Sequence, residues 1–87
     1  MAKIGEVHVF SISWRGIIEQ QNHNPNQIKI ALEKYDPKLG WCLVGSYYGP
    51  ESKQGWRLKE HVFSNIHDKE AINARQCAER LYLDFSK

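Results

Sequence analysis

Arg15, Lys29, Arg57, Lys59 and His61 are the side chains of this chain whose type and spacing could hold phosphate oxygens, with Tyr35 and Tyr47 interleaved among them. Cations fix a nucleic-acid backbone without reading its sequence, and aromatic faces stack on bases. The same types serve a protein partner, since Tyr, Trp and Arg dominate the hot spots of interfaces. A third account needs no ligand. A sheet with one wet face must show polar side chains to water, and Arg, Lys and Tyr do so over apolar stems.

Other chemistries find little support. Ser11, Ser13, Ser46, Ser52 and Ser64 have no nucleophile elbow around them. The six glycines form neither a P-loop nor a dinucleotide fingerprint. His8, His23, His61 and His67 are scattered, and no Cys or carboxylate is placed to complete a tetrahedral metal site with His61 and His67. A small domain with a single sheet also lacks the depth for a ligand pocket of roughly 300 Å³ or more. These features predict a non-enzymatic protein without metal or cofactor. Cys42 lies in an apolar run and Cys77 in a helical one, with no C-x-x-C pair, so both read as buried thiols rather than as a disulfide.

The bulk properties bound the rest. Eighty-seven residues make one domain, spanning 1–87, whose core is small enough that every large apolar side chain counts. Three Trp, four Tyr and three Phe with 41% apolar residues make it globular rather than disordered. Twelve Lys and Arg against ten Asp and Glu leave +2, which excludes an acidic nucleic-acid mimic and lends a nucleic-acid binder only weak support. The first residues hold no long apolar segment, so the expectation is a cytoplasmic protein with reduced thiols and no membrane partner.

The elements that must position the candidate residues follow from periodicity. Ala71, Ala74, Ala78, Leu81 and Phe85 recur at helical spacing, opposite a polar face of Lys69, Glu70, Asn73, Arg75, Gln76, Glu79, Arg80 and Asp84. Three alanines in that stripe let the helix lie close to whatever it covers. Between Glu6 and Glu19, Phe10, Ile12 and Trp14 alternate with Ser11, Ser13 and Arg15 as in a half-buried strand. Val7 and Val9 fall on the other parity, which marks a slip or a two-sided start, and Gly16 suggests a bulge.

Residues 27–35 fit two patterns. As a strand, Ile28, Ile30 and Leu32 face in; as a helix, Asn24 caps, Pro25 opens the first turn and Ile28, Ala31, Leu32 and Tyr35 form the stripe. The turn chemistry of Asp36-Pro37-Lys38-Leu39-Gly40, flanked by Tyr35 and Trp41, favours the strand. Trp41–Tyr48 and Trp56–Phe63 read as two further strands around the polar loop 49–55. The fold expected is α+β: a four-stranded antiparallel meander with one C-terminal amphipathic helix on one face. The alternative is a β-α-β-β-α ferredoxin-like half. Trp14, Trp41 and Trp56 all occupy positions that core burial would explain.

From Gly40-Trp41 through Gly55-Trp56 into Asp68-Lys69-Glu70-Ala71, a hairpin of aromatic-rich strands runs straight into a helix. In this order of elements the chain resembles the arm-type DNA-binding domains of phage integrases and their AP2-like relatives. The resemblance implies that an exposed sheet face is the surface to consider. The leading expectation is therefore a small nucleic-acid-binding accessory protein, with Arg15, Lys29, Arg57, Lys59 and His61 on phosphates and Tyr35 and Tyr47 as stacking contacts. The other is a protein-binding inhibitor or immunity-type module, phage- or plasmid-encoded, that docks on a larger enzyme. A homodimer through an edge strand is compatible with both.

Overall fold

The apolar alternation from Val7 onward does not run as one strand. In the structure, a computed structural model that describes residues 3–22, 26–50, 55–58 and 69–85, it folds back on itself. Strand β1 (Val7–Val9) and strand β2 (Trp14–Gln20) form a hairpin, with Val7 opposite Ile17, His8 opposite Gly16 and Val9 opposite Arg15. The amides of Phe10 and Ser11 both donate to the Trp14 carbonyl, closing a turn that carries Ile12 out into solvent. Val7 and Val9 stand on the outer face and Phe10 on the helix side, so the start of the strand is two-sided and the chain reverses at Ser11–Ser13. That reversal raises the expected four strands to five.

Strand β3 (Ile28–Asp36), strand β4 (Gly40–Tyr47) and strand β5 (Trp56–Leu58) complete an antiparallel sheet in the order β1-β2-β3-β4-β5. The strand pattern of residues 27–35 therefore prevails over the helical one. The β3–β4 turn is fixed by Asp36, whose Oδ1 accepts from the amides of Lys38 (2.7 Å) and Leu39 (3.1 Å). Gly40 closes it at φ 79°, a backbone region that L side chains rarely adopt. At the other end of β3, the buried Gln21 donates through Nε2 to the Ile28 carbonyl (2.8 Å) and through its backbone amide to Gln27. Its amide group thereby ties down the β2–β3 connection.

Helix α1 (Lys69–Phe85) lies across β2 and β3 on one face of the sheet. Ala71, Ala74, Ala78 and Leu81 are its buried residues, as the spacing requires. Ala71 and Ala74 pack with Trp14, Leu32 and Val44; Ala78 and Leu81 pack with Ile18, Ile28, Ile30 and Tyr47; Phe10 and Trp56 border both groups. Two contacts lock the helix in place. Trp56 Nε1 donates to Glu79 Oε1 at 2.9 Å, and the Tyr82 ring stands edge-on to Tyr47 at 5.5 Å.

Gly16 is a regular β2 position rather than a bulge. A Cβ there would sit 2.6 Å from the Phe10 ring, so the missing side chain is what lets that ring lie on the sheet. The bulge falls instead in β4. Leu32 pairs with Gly45 and Glu33 with Leu43, so Val44 is the extra residue, and it turns into the core.

Candidate binding face of the sheet

The helix covers one face of the sheet; the described residues leave the other uncovered, and the register decides what it presents. Opposed residues share a face. Ile17, Ala31, Ser46 and Arg57 form one cross-strand row there, continued to β1 by Val7. The next row is Val9, Arg15, Glu33 and Leu43, and beyond it Tyr35 pairs with Trp41. On the opposite flank Glu19 stands across from Lys29.

Of the residues predicted from sequence, Arg15, Lys29, Tyr35 and Arg57 lie on this outer face. Tyr47 does not. It is 7% exposed and packs under α1 between Trp56 (ring centroids 4.9 Å) and Tyr82, so it is a core residue and no stacking contact. The outward member of the Tyr47–Tyr48 pair is Tyr48, whose ring lies 5.9 Å from Lys29 Nζ. Lys59 and His61 lie outside the described residues, as does the remainder of the expected fourth strand beyond Leu58. The Tyr47 hydroxyl is pushed above its ordinary range by burial first, then by the negative charge of Glu79 and the neighbouring Tyr82.

The centre of the face is an ordered cluster. Arg15 Nε donates to Glu33 Oε1 at 2.7 Å, and its guanidinium sits 4.4 Å over the Trp41 ring. Tyr35 meets the same ring edge-on at 5.4 Å. Val9, Tyr35 and Leu43 around it are exposed. Below, the short side chains of Ala31 and Ser46 are buried. At the β2 end an open groove of about 400 Å³ is lined by Ile4, Ile17, Glu19, Asn22 and Lys29 among others.

Trp41 and Leu43 are the residues that sequence reasoning left out of this face, and of the Tyr47–Tyr48 pair it took Tyr47. The signal for Trp41 was the turn: residues flanking a tight hairpin turn share a face, so an outward Tyr35 implies an outward Trp41. Counting by twos back from the inward Tyr47 gives the opposite answer, because the bulge at Val44 reverses the parity.

The electrostatics are mixed. Among the described residues the face carries Arg15, Lys29 and Arg57 against Glu19 and Glu33. Arg15 is already engaged by a carboxylate and Lys29 faces one, while Arg57 is exposed. The described residues contain no group of three or more His, Cys, Asp or Glu that could hold a metal ion. Cys42 and Cys77 are both free thiols, each partly buried. Among the described residues no helix is long and apolar enough to cross a membrane. No protein-family model, no curated protein and no solved structure matches the chain.

Proposed function

We propose that this chain is a non-enzymatic docking module that binds a protein partner through the outer face of its sheet, as an inhibitor or immunity-type protein does. One observation carries the reading: Arg15 is held by Glu33 and stacked on Trp41, inside a ring of exposed Val9, Tyr35 and Leu43. An arginine fixed in this way loses little freedom on binding, and its aromatic and aliphatic surroundings are the composition of an interface centre. The pairing that pre-organises it also spends the charge a phosphate would need.

Nucleic acid is the competing partner, with Lys29, Arg57 and Tyr48 as its contacts. Titration of labelled random-sequence duplex DNA and single-stranded RNA at low and at physiological salt separates the two. Each phosphate neutralised contributes about 0.9 to the salt slope on duplex DNA, so Lys29 and Arg57, the two cations available among the described residues, give a slope of about 2 and no useful affinity at roughly 0.15 M salt. Tight binding at that salt, lost in Arg57→Glu, would overturn the protein-docking reading.

A further inference from the structure

Strand β1 ends the sheet, and nothing among the described residues pairs with its outer edge. The ladder to β2 fixes which backbone groups point outward. Glu6 accepts from the Ile18 amide at 3.1 Å and Phe10 donates to Trp14 at 3.0 Å, so Glu6, His8 and Phe10 direct their backbone groups inward. In an antiparallel pair these alternate, and the N–H and C=O of Val7 and Val9 are therefore aimed away from the sheet. Their side chains stand on the outer face, 46% and 69% exposed.

Natural edge strands are usually protected by Lys, Pro, an inward-turned charge or a bulge. Val7-His8-Val9 carries no Lys, Pro or bulge, and its protection is limited to its three-residue length and an inward-turned neighbour. The one adjacent carboxylate, Glu6, lies on the helix side of the strand with its Oε1 2.6 Å from His8 Nε2.

We infer that β1 pairs antiparallel with β1 of a second copy of this chain, about a two-fold axis through His8 and normal to the sheet. The sequence is self-complementary in that register alone. Val7 then lies opposite Val9 of the second copy and Val9 opposite its Val7, so every outward N–H and C=O of the two valines is satisfied. Centring the axis on Val7 instead sets Val9 against Gly5, and centring it on Val9 sets Val7 against Ser11. The four valine side chains meet on the outer face, and the sheet runs continuously through both copies. Arg15 on β2, Tyr35 on β3 and Trp41 and Leu43 on β4 lie inboard of the seam, and Val9 is the one residue shared by the seam and the docking cluster. A contact this short buries well under 1,000 Å², which makes the dimer weak and reversible, with Kd on the order of 100 µM.

Sedimentation velocity from about 10 to 500 µM tests the inference, and the wild type is expected to pass from monomer to dimer across that range. Val9→Pro removes an outward N–H that β2 does not use and should leave a monomer throughout; Val7→Lys with Val9→Lys should do the same by charge. With Cys42→Ser and Cys77→Ala in the background, His8→Cys should form an intermolecular disulfide under mild oxidation, since residues on the axis face each other at the close, non-hydrogen-bonded spacing. Ile12→Cys, at the exposed hairpin tip, should not. A wild type that stays monomeric at 500 µM, a dimer that survives the double-lysine change, or cross-linking at Ile12→Cys in place of His8→Cys would each overturn the assignment.

Discussion

At the scale of single residues, two positions carry consequences that experiments can read. Tyr47 is favoured in its neutral form by burial, by Glu79 and by Tyr82. Below about pH 10, the ordinary tyrosine value, folded and unfolded chains both keep the proton and no stability depends on it. Above that the unfolded chain ionises first, so stability falls as pH rises through the higher folded value. Denaturation midpoints at pH 8 and pH 11 should therefore diverge more for the wild type than for Tyr47→Phe; equal divergence would place the alkaline loss elsewhere. Gly16 is the second position. Its substitution by Ala drives a Cβ into the Phe10 ring and should cost about 1–3 kcal/mol, the usual range for overpacking. In a denaturant double-mutant cycle, Phe10→Leu should recover part of that loss, because the smaller, flexible side chain can move aside. Simple additivity would mean that the ring is not what Gly16 accommodates.

At the scale of elements, α1 was legible and the sheet's first and fourth strands only partly so. The helix is long, strongly periodic and packed as its alanines require, which is the case in which sequence pattern and tertiary contact agree. Ala74→Leu or Ala78→Leu should each cost about 1–3 kcal/mol by forcing the helix off β2 and β3, whereas Ile72→Ala, on the exposed side, should stay within about 0.5 kcal/mol. Chemical denaturation of the three variants decides between that close docking and a loosely seated helix. The β1–β2 hairpin was hidden because Ser11-Ile12-Ser13 has no Gly, Asn or Pro to announce a turn. The β4 bulge left no mark at all: Val44 is an ordinary strand residue, and its inward turn is decided by the space available under α1. That one inserted residue carried Trp41 from the expected core to the outer face.

At the scale of the whole molecule, α1 covers one face of the sheet, and the described residues leave the other face as the proposed binding surface. Among the described residues its cations are partly spent on carboxylates and its aromatics are held in fixed geometry, which is what supports the proposed protein contact over phosphate binding. Of the candidate site, Arg15, Lys29, Tyr35 and Arg57 were readable from alternation alone. The Glu33–Arg15–Trp41 arrangement was not, since it depends on cross-strand register.

The most direct test is quantitative mass spectrometry of proteins captured from source-cell lysate by immobilised wild type, by Trp41→Ser with Leu43→Asp, and by Ile72→Asn on the helix surface. The proposed docking face predicts at least one protein enriched equally by the wild type and the helix variant and reduced more than about tenfold by the sheet variant, the loss expected for a hot-spot pair. Enrichment unchanged by the sheet variant, or lost in the helix variant alone, would contradict it.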